Sequence, residues 1–179
     1  MAGVEVERRW LVPEAPADAL AAPAQRIDQG YLTIGSDGAE TRVRHRGEQY
    51  VLTVKSGSGM VRSEHEVALS ADQFEALWPA TQGARVEKTR HALHADDGHL
   101  IELDVYDGAL SGLTIAEVEF DDPWGAEAFV APYWFGREVT AEPGYRNQSL
   151  ALRGLPAPGE PPAPGGPPTP GGPPAPGSP

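Results

Sequence analysis

Six pairs of like charges, each separated by a single residue, mark the chain: Glu5/Glu7, Arg42/Arg44, Glu64/Glu66, Lys88/Arg90, Glu102/Asp104 and Glu117/Glu119. The residues between and around them are mostly apolar. A spacing of two is the period of a β-strand, so each pair lies on one strand face with its apolar neighbours on the other. Like charges at i and i+2 sit roughly 7 Å apart and repel, whereas a sheet face in water gains more by interleaving opposite signs. Stability alone does not account for the pattern. Paired carboxylates suit hard divalent cations and paired arginines suit phosphate oxygens, so the set reads as a site for a metal-bound polyphosphate.

The segments that carry these pairs all have strand character. Alternation predicts strands over residues 4–12, 29–34, 40–46, 49–55, 61–69, 86–94, 100–106 and 113–120. Gly35-Ser36-Asp37-Gly38, Ser56-Gly57-Ser58-Gly59 and Asp96-Asp97-Gly98 supply hairpin turns. Helices are few and short: one after the Ser70 cap with Phe74, Leu77 and Trp78 on one side, one after Asp122-Pro123 with Trp124 and Phe129, and a third over 16–22. Trp10, Trp78, Trp124 and Trp134 read as core. The fold class is mainly β, with minor helix. The apolar strand faces can be buried under the helices, which leaves the charged faces to line something else. In a closed eight-stranded antiparallel barrel they line a polar bore wide enough for a small ligand. Such an interior is costly to desolvate, and water, metal and an anionic ligand are what compensate it. The expected architecture is therefore a barrel with an open bore.

Composition narrows the function. Lys and Arg number 14 against 26 Asp and Glu, a formal charge of −12, which argues against a nucleic-acid partner. Eight of the 14 basic residues fall on the expected inner face, so positive charge is local. Without cysteine there is no disulfide, thiolate metal site or cysteine nucleophile. No apolar run has the length of a membrane span, and no signal peptide precedes the first strand; the expectation is a cytoplasmic protein with no membrane partner. Residues 1–153 fit one domain, and 154–179 form a Pro/Gly-rich tail without large side chains to bury after Leu155. The tail is expected to be a solvated, disordered extension, or a weak ligand for a proline-binding partner.

Motif by motif, the chain resembles the CYTH superfamily of triphosphate tunnel metalloenzymes. Glu5-Val6-Glu7-Arg8-Arg9 is similar to its ExExK signature. Gln29-Gly30-Tyr31, Arg42-Val43-Arg44, Leu52-Thr53-Val54-Lys55, Arg62-Ser63-Glu64-His65-Glu66, Lys88-Thr89-Arg90, Glu102-Leu103-Asp104, Glu117-Val118-Glu119 and Tyr145-Arg146-Asn147 follow in the family's order. One departure is visible: Arg9 stands where the family has lysine. It keeps the charge, but a guanidinium does not serve as a titratable amine. The resemblance implies an eight-stranded tunnel that binds a triphosphate with Mg²⁺ or Mn²⁺. It assigns Glu5, Glu7, Glu117 and Glu119 to the metal, with Glu102 and Asp104 as further metal ligands. Arg9, Arg42, Arg44, Lys55, Arg62, Lys88, Arg90 and Arg146 are the expected phosphate ligands, and Lys88, Glu64 and Glu66 the expected catalytic residues. The attacking water would be activated by the metal or by one carboxylate.

Single motifs carry less than the series. A lone Arg-x-Arg or Glu-x-Glu is ordinarily a solvated face. Gly57-Ser58-Gly59 lacks the Gly-Lys-Ser/Thr ending of a phosphate loop and reads as a turn. The five histidines form no ligand set, with His45 and His65 facing away from the charges. Tyr31 fits either core packing or a place near the substrate. The function expected is metal-dependent hydrolysis of inorganic tripolyphosphate or a related small triphosphate. A class IV-like adenylate cyclase, a thiamine triphosphatase and a non-catalytic polyphosphate-binding module are the alternatives.

Overall fold

Strand formation follows the alternation closely, and the register then decides which charges meet. A computed structural model describes residues 6–35, 39–56 and 63–156; Glu5, Arg62, the turn residues 36–38 and 57–59 and the tail from residue 157 lie outside the described residues. The strands are β1 (Val6–Leu11), β2 (Ala24–Ile34), β3 (Glu40–Arg46), β4 (Gln49–Ser56), β5 (Ser63–Leu69), β6 (Arg85–His94), β7 (Leu100–Tyr106) and β8 (Thr114–Phe120). They form one eight-stranded sheet in the order β1-β8-β7-β6-β2-β3-β4-β5, and every neighbouring pair is antiparallel. β2 begins at Ala24 because Ala24 to Asp28 pair with His91 to Glu87 of β6, a partner that local alternation does not reveal.

Directly paired residues share a face in an antiparallel sheet. The pairs Glu7↔Glu119, Arg9↔Glu117, Glu102↔Glu117, Arg90↔Asp104, Thr53↔Glu66 and Lys55↔Glu64 place the described members of the charged pairs on one inner face. Arg42 joins them opposite Thr53. The outer face carries a core of Trp10, Ile101, Leu103, Ala116, Val118, Phe120 and Phe129. Among the described residues four α-helices dress the sheet: α1 (Ala17–Leu20), α2 (Ala71–Leu77), α3 (Pro123–Ala128) and α4 (Asn147–Arg153). A capping box starts α2, in which the Gln73 N–H donates to Ser70 Oγ (3.2 Å) and the Ser70 N–H to Gln73 Oε1 (2.8 Å). α2 covers the outer side of β3 and β4, where Phe74 packs on His45 and Tyr50 at ring separations of 5.8 and 5.2 Å. At α3 the Asp122 carboxylate accepts the Gly125 N–H. Trp124 departs from the core placement expected of it and is 81% exposed, because Ala126 and Phe129 make this region's contact with the sheet.

Two features correct the expected open bore. Among the described residues the sheet is not closed: β1 pairs with β8 on one edge, and the other edge of β1 is taken by residues 136–139 instead of β5. Gly136 N–H donates to the Leu11 carbonyl (2.8 Å), Leu11 N–H to that of Arg137 (2.9 Å) and Val139 N–H to that of Arg9 (2.8 Å). Nor is the inner face charged throughout. Leu11, Val86, Tyr106 and Ile115 make one end of it apolar, and α4 seals that end by burying Leu150 among Val86, Tyr106, Leu110, Leu113 and Ile115. Sealing one end with hydrocarbon shortens the stretch of charge that must be desolvated. Among the described residues no helix is long and apolar enough to cross a membrane.

Candidate functional site

On β1, β8, β7 and β6 the inner-face charges are interlocked. The Arg9 guanidinium grips Glu7 with Nε on Oε1 (2.6 Å) and Nη2 on Oε2 (2.7 Å), and Nε also reaches Glu117 Oε1 (3.1 Å). Arg90 donates from Nε to Asp104 Oδ1 and from Nη2 to both Asp104 Oδ2 and Glu117 Oε2, each at 2.6 Å, and from Nη1 to Glu102. Behind it the buried Lys88 ammonium donates to Asp104 and, at 3.4 Å, to Asn147 Oδ1, and lies 5.2 Å from the centre of the Tyr106 ring. Tyr106 Oη donates to the same Asn147 oxygen at 2.9 Å, which ties the start of α4 to this cluster.

Electrostatics separates the carboxylates of this wall. Burial pushes the Asp104 carboxyl up, but the Lys88 and Arg90 charges outweigh it and hold it below the usual range. At Glu7, burial and then the Glu117 charge win over Arg9, and its carboxyl is raised. Asp104 is thus a satisfied structural anion, whereas Glu7 is crowded by Glu117, which itself accepts from both Arg9 and Arg90.

The opposing wall, on β3, β4 and β5, is looser. Arg42 Nη1 donates to Glu40 Oε1 (3.1 Å) and its Nη2 lies 3.7 Å from Glu64 Oε1, while Arg44 Nη2 lies 3.5 Å from Glu66 Oε1. Lys55 Nζ is 3.1 Å from Glu64 Oε2, and Thr53 Oγ1 donates to Glu66 Oε1 at 3.1 Å. Burial and then the neighbouring Arg42 charge depress the Arg44 guanidinium, with Arg46 and Arg90 adding to the effect against Glu66. Positive charge is therefore in local excess where β3 faces β6. Arg42 Nε is buried there with no acceptor among the described residues, and an unpaired buried donor costs about 1–3 kcal/mol.

Most of the predicted site residues meet on this face: Glu7, Arg9, Arg42, Arg44, Lys55, Glu64, Glu66, Lys88, Arg90, Glu102, Asp104, Glu117 and Glu119. Arg146 sits at the start of α4, where its carbonyl accepts the Leu150 N–H. Tyr31 is buried on the inner face, paired with Arg42, and its hydroxyl accepts from Gln29 Nε2 at 2.8 Å. Sequence reasoning missed Glu40, which bridges Arg42 and Gln148 of α4, although its place two residues before Arg42 was a usable signal. It also missed Tyr106 and Asn147 as partners of Lys88: Asn147 belongs to the Tyr145-Arg146-Asn147 motif, but its pairing with Lys88 is a long-range contact that local spacing does not reveal.

The chemistry of the donors fits a hard divalent ion, because Glu7 and Glu117 present neighbouring carboxylate oxygens and the negative charge on Glu7 is disfavoured by burial and by Glu117 until a cation offsets it. Among the described residues no three acidic or histidine side chains converge on one point as they stand, since Arg9 and Arg90 are interleaved with them.

No protein-family model matches the chain. An inorganic triphosphatase of Nitrosomonas europaea is 49% identical over 148 residues, covering 83% of this chain and 97% of the relative. One from Acetivibrio thermocellus is 34% identical over 152 residues, covering 83% and 93%. Among solved structures, the crystal structure of the inorganic triphosphatase NE1496 matches with a TM-score of 0.71 at 45% identity, over 85% of this chain and 96% of that one.

Proposed function

We propose, from the premise that the chain belongs to the inorganic triphosphatase family, that its inner face hydrolyses inorganic tripolyphosphate to pyrophosphate and orthophosphate with Mg²⁺ or Mn²⁺ bound. The chain is a phosphoanhydride hydrolase of the CYTH type that its strand motifs resemble. What supports the polyphosphate site at this chain's own residues is the buried Arg42 Nε, a donor without an acceptor among the described residues, beside an Arg44 guanidinium whose charge burial and the neighbouring Arg42, Arg46 and Arg90 disfavour. A phosphate oxygen satisfies both.

The metal, when bound, would offset charge on the phosphate oxygens and acidify a coordinated water. Glu7 and Glu117 would hold it, together with Glu119 and with Glu5, two residues before Glu7 in the sequence. Arg42, Arg44, Lys55 and Arg62 bind the chain of phosphates, and Arg146 reaches in from the start of α4. Arg90, fixed by Asp104 and Glu102, presents a guanidinium that does not have to reorganise as charge moves onto the leaving pyrophosphate. Lys88 backs it through Asp104. Glu64 or Glu66 accepts the proton of the attacking water as the bond to pyrophosphate breaks.

The test is product analysis with tripolyphosphate, ATP and thiamine triphosphate, each with Mg²⁺ and with Mn²⁺. Orthophosphate released fastest from tripolyphosphate is expected. Cyclic AMP and pyrophosphate from ATP, with tripolyphosphate left intact, would overturn the reading.

A further inference from the structure

We propose that Arg9 is a built-in occupant of the metal position, released from Glu7 and Glu117 when a divalent ion binds and then free to take hold of the polyphosphate, so that metal and anion binding are coupled through one side chain. The inference rests on the metal assignment made above.

The oxygens that a hard cation needs are already in use. Both Glu7 oxygens accept from Arg9, at 2.6 and 2.7 Å, and Glu117 Oε1 accepts from the same guanidinium at 3.1 Å. The remaining Glu117 oxygen accepts from Arg90. An ion entering between the two carboxylates must therefore free one arginine. The two differ in what else holds them. Arg90 keeps both Asp104 oxygens and Glu102 if it loses Glu117. Among the described residues the Arg9 guanidinium has Glu7 and Glu117 and no third acceptor. Arg9 is the one that leaves.

Its main chain stays where it is. The Arg9 N–H donates to Thr140 Oγ1 at 2.9 Å and its carbonyl accepts from Val139 at 2.8 Å, so the side chain alone moves. It is a fifth exposed and already points to the inner face that carries Arg42 and Arg44. A guanidinium set loose beside a divalent ion is repelled by it until an anion arrives, and its planar fork suits two phosphate oxygens at once. Linkage then requires each ligand to tighten the other by the same factor. A compact ammonium at this position could not bridge both carboxylates in the same way, which gives the arginine a role of its own.

Mn²⁺ titration of the full chain, followed by electron paramagnetic resonance with and without tripolyphosphate, tests the proposal apart from turnover. Arg9→Met keeps the stem and removes the competing charge. Mn²⁺ alone should then bind it several-fold tighter than the parent, while the tightening of Mn²⁺ binding by tripolyphosphate, expected to be about fivefold or more in the parent, should shrink. Arg9→Lys should fall between the two and serves if Arg9→Met does not fold. Equal or weaker Mn²⁺ binding in these variants, with Glu117→Gln still weakening it, would overturn the role of Arg9 alone. A parent chain that binds no Mn²⁺ with or without tripolyphosphate would overturn the metal assignment as well.

Discussion

Lys88, Arg90 and Asp104 on one wall of the inner face have side-chain exposures of 4%, 15% and 0%, whereas Lys55 and Glu64 on the opposite wall expose 37% and 46%. The residue types are the same, but their surroundings give them different work. On β6 and β7 each charge is fixed by several partners at short range, and removing one would leave others buried and unpaired. On β4 and β5 the ion pairs are open to water and contribute about 0–1 kcal/mol each. The first wall is built before any ligand arrives, and the second can rearrange around one. Glu7 and Glu117 lie between these extremes, paired with arginine but close enough for Glu117 to disfavour the Glu7 charge, which suits the cation site proposed for them.

The largest effect should come from the sealed wall. Asp104→Asn leaves Lys88 and Arg90 without their shared anion and should cost about 3–5 kcal/mol in urea unfolding, against less than about 1 kcal/mol for Glu64→Gln. Similar losses at the two positions would erase the distinction between the walls. Next, Glu117→Gln keeps shape but removes a hard anionic ligand, and turnover at limiting Mg²⁺ should fall by more than about a hundredfold, beyond what the loss of a supporting residue causes. Parent-like turnover would remove Glu117 from the metal set. Lys55→Met should raise KM for tripolyphosphate roughly tenfold, equivalent to about 1.4 kcal/mol, and leave unfolding nearly unchanged. A destabilised variant with normal KM would reverse the assignment of Lys55 to binding.

The smallest effect is also the one with a sign. The Asp104 carboxyl is lowered in the fold, so its stabilisation is present above the usual carboxylate range and lost as pH falls through its folded value. The Glu7 carboxyl is raised, so its contribution is present below the usual range and lost as pH rises through its folded value. Metal-free protein should therefore lose a little stability as pH rises from about 4 toward neutrality through Glu7. Glu7→Gln should flatten that limb. Unfolding curves that coincide for parent and variant across this range would show that Glu7 is not under the proposed strain.

Much of this site was legible because alternation is a local property: once Glu117 and Glu119 share a strand face, as do Arg42 and Arg44, the register needed only to align strands already drawn. Glu40 was legible by the same rule and was overlooked. What local patterning could not supply was long-range. The pairing that extends β2 back to Ala24 depends on β6, and the segment that takes the free edge of β1, and so leaves the sheet open, lies more than a hundred residues away in the chain. α4 shows no strong amphipathic signal over Asn147–Arg153, and its burial depends on an apolar end of the inner face assembled from Leu11, Val86, Tyr106 and Ile115. Trp124 was misplaced because large aromatic side chains are usually buried, and here a short helix presents a smaller residue, Ala126, inward.

In the proposed function the two walls and the carboxylates between them bind metal and polyphosphate together, as one site. Thermal unfolding with Mg²⁺, with tripolyphosphate and with both tests it most directly. A ligand pair that binds only the native state at about a hundredfold excess over Kd adds about 2.7 kcal/mol, or roughly 5–10 °C in a domain of this size. The account predicts that shift with both present, larger than the sum of the separate shifts. A melting temperature unmoved by the combination would contradict it.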